Sequence, residues 1–280
     1  MKKIWLGAAV MVGLPTLAVG YGLVGVRHAA AAPPVVTTPA ATAPAATGTT
    51  KKGISPEADR ALRRMTDYLA GLQSFRVQSS AKDEVVLKSG QKIDLLSQSQ
   101  TSVQRPSRLR SEQIGAKGGL AFMYDGKSMT LSCTGSGAFM TKPAPASIDG
   151  AIDQARKDFG IEAPGADLLY SRPYDILTEQ VTGGQVIGHE TLDGVPVTHL
   201  AFQGEEVDWQ IWIKDGNEPV PVLFSIITKT MPSQPEFEVR MSNWETKAAL
   251  PASMFAFQPP ANAKAVTTFP SSCGPDTAAQ

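Results

Sequence analysis

The chain has 280 residues, with 26 Lys and Arg against 26 Asp and Glu. That balance leaves no basic field for a polyanionic backbone, so nucleic acid is excluded as a partner. The length is enough for one sizeable core, and all-β domains routinely use most of such a length as a single unit.

The N-terminus begins Met1-Lys2-Lys3, runs without a charge from Ile4 to Val26, and closes with Arg27-His28 and small residues to Ala32. Residues 1–32 therefore read as an export signal peptide cut at Ala31, or as an N-terminal membrane anchor, because the apolar run is long enough to span a bilayer. No cysteine lies near it to carry acyl chains. Residues 33–54 are rich in Ala, Pro and Thr, too poor in large apolar side chains to offset the entropy of ordering, and read as a flexible linker. Ser55-Pro56-Glu57 then opens a helix, with Ser as N-cap, Pro in the first turn and an acid beside it. Ala58, Leu62, Met65, Leu69 and Leu72 give that helix one apolar face.

After Gly71 the period changes to two, and strands begin at Phe75, Val77 and Ser79. Glu84 to Leu87 and Lys92 to Gln104 flank a turn at Ser89-Gly90, and the second strand is polar from Gln98 to Ser102. Arg105-Pro106 interrupts the ladder, which restarts at Arg108. Leu120 to Tyr124 and Ser128 to Cys133 form a hairpin across Asp125-Gly126, and Gly135-Ser136-Gly137 is a turn. Between Pro143 and Thr178 the pattern turns helical: Ile148, Ile152, Ala155 and Phe159 share a face, Gly160 ends the run, and Pro164 to Leu169 and Pro173 to Leu177 are further helical turns. Such an insertion must lay its apolar face on the sheet as a plug or lid. His189 to Lys229 reads as consecutive antiparallel strands around Asp193-Gly194, the strongest short-range hairpin signal. Phe237 to Trp244 alternates cleanly, and Met254 to Pro260 reads as a last short strand with a proline stop.

The ordered set RPSRLR, AFMYDGKSMTL, DGVPVTHLAF, DWQIWI and FAFQPPANA resembles the superfamily of LolA-type (LolA/LppX/RseB-like) periplasmic lipoprotein carriers. More closely it looks like the family of predicted periplasmic proteins assigned to it. The resemblance covers Ser55 to Val266. It implies an α+β, mainly β fold: an open, strongly curved antiparallel sheet, a half-barrel over residues 55–266, with helices covering its concave face and an apolar cavity between. It also implies binding of an acyl chain, a lipid or a lipidated protein. No residue of the chain can be matched to a carrier's latch, so the resemblance bears on cavity formation rather than on cargo transfer.

Several candidate sites follow. With a two-residue loop at Asp193-Gly194, His189 faces Thr198 and His199 faces Gly188, so the two histidines lie on opposite faces and share no metal ion. Glu190 shares a face with His199 as a polar cross-strand contact. No phosphate loop or Gly-x-Ser-x-Gly elbow is present, so no catalytic residue, metal or cofactor is expected and the protein is read as non-enzymatic. The apolar alternation predicts a cavity lined by Phe122, Tyr124, Trp209, Ile211, Ile213, Phe224, Ile226 and Met241, residues that also suit plain core packing. Arg105, Arg108 and Arg110 are candidates for an anionic head-group rim, or for a solvated strand edge. Cys133 and Cys273 suggest a disulfide tying the tail, residues 267–280, to the sheet. Two functions are carried forward. One is a periplasmic binding protein for an acyl chain, lipid or lipidated protein. The other is an envelope interaction or stress-sensor protein whose sheet docks a protein partner and whose cavity is filled by its own helices.

Overall fold

Ser55 starts the first helix as its sequence predicts. Its hydroxyl accepts a hydrogen bond from the Ala58 N–H at 3.2 Å, Pro56 sits in the first turn, and Glu57 and Asp59 complement the positive end of α1 (Pro56–Gly71). Here and below, a computed structural model describes residues 51–115, 118–161 and 163–268. The signal segment, most of the linker, and Cys273 with most of the tail lie outside the described residues.

The first strand group is a meander of β1 (Ser74–Val86), β2 (Lys92–Gln104), β3 (Arg108–Gly115), β4 (Gly118–Tyr124), β5 (Ser128–Cys133) and β6 (Ala138–Pro143). The second group is another meander: β7 (Val181–Leu192), β8 (Val195–Gly204), β9 (Val207–Lys214), β10 (Pro221–Thr228) and β11 (Glu236–Glu245). Asp193 and Gly194 both have positive φ, 49° and 80°, and Leu192 pairs with Val195, which is the two-residue hairpin their sequence demands. With the short β12 (Lys264–Ala265), the described strands form one open sheet in the order β12-β6-β5-β4-β3-β2-β1-β11-β10-β9-β8-β7. The groups join where β1 pairs with β11, so β6 and β7 lie far apart towards opposite ends.

That topology dictates where the helices go. The segment from β6 to β7 must cross the breadth of the sheet, and it does so over one face, as α2 (Ile148–Phe159), a 3-10 turn (Ala166–Leu169) and α3 (Pro173–Thr178). Gly160, in the left-handed region at φ 64°, ends α2. The apolar sides of α1, α2 and α3 join inward strand residues in one core, which reaches from Met140 on β6 to Val181 on β7.

The other face is crossed by the segment from β11 to β12. Here the expected strand over Met254 to Pro260 is corrected: Ala252–Phe255 is a 3-10 turn with no ladder. Pro251, Pro259 and Pro260 remove the donors that a strand would need, while Phe255 is buried in a small cluster with Ala248 and Leu250. The strand that does form, β12, runs parallel to β6, and neither β6 nor β12 was anticipated from the sequence.

Candidate ligand site on the inner face of the sheet

Cross-strand register decides which side chains share the helix-covered face. One row runs Leu200, Ile211, Phe224, Val239, Ala81, Ser97, Gly115 from β8 to β3. Side-chain size falls along it, from large apolar groups to a glycine. A second row runs Met241, Ser79, Ser99, Gln113, Leu120, and a third runs Val77, Thr101, Ser111, Phe122, Leu131. Between the buried Phe75, Val77, Val103 and Leu109 at one end of these strands and Ala81 and Gly115 further along, the inner face of β1, β2 and β3 is therefore a floor of mostly small, hydroxylated residues. Its hydroxyls satisfy one another, Ser79 with Ser99 at 2.9 Å and Thr101 with Ser111 at 3.0 Å. Taller apolar walls stand on either side, Leu120 and Phe122 on β4, and Phe237 and Val239 on β11. Ala81, Leu120, Phe122 and Phe237 are only half-buried at the margin of the core. Small residues between large ones make a trough, and Phe159 of α2 leans over one wall, edge-on to Phe122 at 6.5 Å.

The neighbouring sector under α1 and α3 is filled. Trp209 is 4% exposed, stacks on Phe202 at 4.0 Å and meets Phe224 edge-on at 5.8 Å. The covering segment fits closely there, since a Cβ added to Gly165 would lie 4.0 Å from both Phe224 and Val239. All eight residues predicted to line a cavity lie on this inner face. Phe122 borders the trough. Tyr124, Trp209, Ile211, Ile213, Phe224, Ile226 and Met241 are buried in the packed core.

Polar fastenings hold the cover down. Arg105, just before β3, donates to the carbonyls of Leu169 at 3.0 Å and Tyr170 at 3.4 Å, where the 3-10 turn ends. Its Nε is buried without a hydrogen-bond partner, and burial pushes the guanidinium below its ordinary pKa. The Tyr170 hydroxyl donates to Asp153 at 2.6 Å and accepts from Arg156 at 3.0 Å, while Arg156 pairs with Asp167 at 2.9 Å. Tyr174 of α3 donates to Asp59 of α1, and Arg63 both pairs with Asp59 at 2.9 Å and lies 3.7 Å over the Tyr174 ring. Burial first, and the bond to Asp59 second, push the Tyr174 phenol up to about 12.

The three arginines expected at one rim are separated by the sheet. Arg105 lies on the helix side. Arg108 and Arg110 lie on the outer face, where Arg108 donates to Gln104 at 2.6 Å and Arg110 to the Met254 carbonyl and to Glu112, both at 2.7 Å. RPSRLR alone could not separate them, because the turn at Arg105 to Ser107 precedes the alternation that assigns faces. The histidines follow their predicted register. His189 pairs with Thr198 on the inner face, and His199 sits outside between Glu190 at 2.8 Å and Gln210 at 3.0 Å, stacked on Trp212 at 4.0 Å. Among the described residues no group of three or more His, Cys, Asp or Glu is placed to hold a metal ion. Cys133 is buried at the end of β5, and its expected partner Cys273 is outside the described residues.

An open, unclosed antiparallel sheet carrying helices on one face defines a half-barrel fold. The chain belongs to the family described as predicted periplasmic protein (DUF2092), whose model matches residues 58–269. A comparison with curated proteins finds no match. Among solved structures it is similar to LprF from Mycobacterium bovis, with 17% identity over 75% of this chain and 99% of that one, TM-score 0.45. It is also similar to lipoprotein LppX from Mycobacterium tuberculosis, at 15% identity, 70% and 98% covered, TM-score 0.45. A LolA superfamily protein from Nitrosomonas europaea matches at 13% identity, 71% and 97% covered, TM-score 0.36. Among the described residues no helix is long and apolar enough to cross a membrane.

Proposed function

We propose that this protein is a non-enzymatic periplasmic binding protein that takes an acyl chain, free or as part of a lipid or lipidated protein, into the trough over β1 to β4. The observation that carries this reading is the half-burial of Ala81, Leu120, Phe122 and Phe237 around a floor of Ser, Thr and Gly, beside the packed core under α1 and α3. Methylenes laid against those walls would each gain about 0.8 kcal/mol from leaving water. The paired hydroxyls of the floor need no polar partner from the ligand. A longer chain would extend under the cover towards Trp209, which requires the segment held by Arg105 to move.

A fluorescent fatty-acid probe tests the reading. Phe122→Asp, at a half-exposed position, should leave the circular dichroism spectrum unchanged and abolish probe binding. A folded variant that binds as well as the parent sinks the assignment of the trough.

The burial of Trp209, Ile211 and Phe224 under the protein's own helices favours a second reading, an envelope interaction or sensor protein whose cavity is self-filled. Native mass spectrometry of protein released gently from its own cells separates the two. A co-purifying acylated mass that leaves on denaturation supports the first, and a bare protein mass supports the second.

A further inference from the structure

At the other end of the inner face from the trough, a cleft of about 360 Å³ opens between the first turns of α1 and the β7–β8 hairpin. Its walls come from two elements whose local rules place two arginines opposite a histidine and a threonine. Arg60 and Arg64 are four residues apart and so project from one side of α1, away from the buried stripe of Ala58, Leu62 and Met65. Across from them the register of the hairpin brings His189 and Thr198 together as a direct pair, with the Thr198 hydroxyl 3.2 Å from the imidazole Nδ1. Ala61 and Val186 complete the lining, and both pack against the main core, so the floor is apolar. Arg63, the arginine between them in sequence, is turned to Asp59 and Tyr174 and takes no part.

We infer that this cleft is a second binding site, for a phosphate or carboxylate group. The guanidiniums that face it are lightly engaged. Arg60 is 61% exposed with a 3.5 Å ion pair to Glu57, and Arg64 donates to the Gly216 carbonyl. A planar fork with donors to spare is suited to oxyanion oxygens, and the two arginines supply the donors, because the Thr198 hydroxyl already donates to Asp215. The counter-charges are Glu57 in the lining and Asp215, which accepts from Thr198 at 2.6 Å and lies 3.9 Å from His189. An anion competes with Glu57 for Arg60. The apolar floor distinguishes two sources of the same chemistry: an amphiphile's head group would bring methylenes to Ala61 and Val186, and a free phosphate would not. The site does not depend on the trough being an acyl site.

The test is isothermal titration of the full chain with inorganic phosphate and with hexyl phosphate at low salt. Binding of either should weaken about tenfold in Arg60→Gln, the loss expected for one charge-assisted hydrogen bond, and tighten in Glu57→Gln, where the competing carboxylate is gone. Both positions are exposed, so both variants should fold, Arg60→Gln with the parent's thermal midpoint and Glu57→Gln with a slightly lower one as α1 loses an acid from its first turn. Hexyl phosphate bound at least tenfold more tightly than phosphate identifies an amphiphile head group as the source, and equal affinities identify free phosphate. Phe122→Asp should leave these affinities unchanged, which keeps this site separable from the trough. No heat of binding for either ligand, or affinities that do not respond to Arg60→Gln and Glu57→Gln, would overturn the proposal.

Discussion

Two sectors of one sheet face behave differently although cross-strand rows in direct register run through both. Over β8 to β11 the inward positions are Leu200, Phe202, Trp209, Ile211, Phe224 and Val239, and helices close on them until almost nothing is exposed. Over β1 to β3 the same rows continue as Ala81, Ser97 and Gly115 and as Ser79, Ser99 and Gln113, with Thr101 and Ser111 beside them, and the cover leaves them part-open. The difference shows that in an open sheet alternation alone does not make a core. Side-chain volume along the cross-strand rows decides where the protein fills its own interior and where it leaves room.

Mutation should separate the two sectors most at their extremes. Trp209→Ala removes a ring stacked on Phe202 and set against Phe224, and should cost about 3–5 kcal/mol in urea unfolding, the range for a large aromatic lost from a packed core. A cost below about 1 kcal/mol would mean that the sector is not packed as described. Arg105→Ala strips two charge-assisted bonds from the end of the covering segment and should cost about 2 kcal/mol. Amide exchange should then rise through residues 166–178 while β8 to β10 stay protected. Uniform loss of protection would show that the cover is not separately fastened.

Alkaline titration probes the same cover from α3. The folded pKa of Tyr174 is raised to about 12 against an unfolded value of about 10, so its contribution to stability is intact below the unfolded value and is lost as pH rises towards 12. Absorbance of phenolate should show this ring ionising late, together with Tyr170 and Tyr124, which burial also pushes up, and Tyr174→Phe should remove one phenolate from that late step. The smallest effect belongs to the trough floor, where Ser99→Ala should cost no more than about 1 kcal/mol, because it deletes one exchangeable hydroxyl pair at a half-buried position. A cost of several kcal/mol there would make the floor part of the core and erase the contrast.

Much of the fold is legible in the residues. Ser55-Pro56, Asp125-Gly126, Asp193-Gly194 and Gly160 punctuate the chain where the structure turns, and the alternation Trp209, Ile211, Ile213 assigns faces correctly. The stretch from Met254 to Pro260 misleads because a short apolar run between prolines looks the same whether it pairs in a ladder or caps a patch. Residues 138–143 were missed as a strand because β6 is short, with three exposed polar or proline positions at its end.

The candidate site was legible only by halves. The apolar wall residues Phe122 and Phe237 stand out by period. The hydroxyl floor reads as an ordinary wet strand until register shows that Ser99, Thr101 and Ser111 face inward, between those walls. The cations of the α1 cleft give no sequence signal, since Arg60 and Arg64 lie more than a hundred residues from His189 and meet it only because β7 and β8 run beneath the helix.

The sequence by itself determined most of the elements, their turns, the alternation along strands such as β9, and the family, because those depend on neighbours a few residues apart and on local backbone preference. Only the tertiary structure decided that the helical segment crosses the inner face, that Arg105 holds it there while Arg108 and Arg110 lie outside, and that the floor of β1 to β3 is left part-open. Those outcomes rest on β1 pairing with β11, a contact between strands more than a hundred and fifty residues apart, whose energy comes from burial that no local pattern encodes.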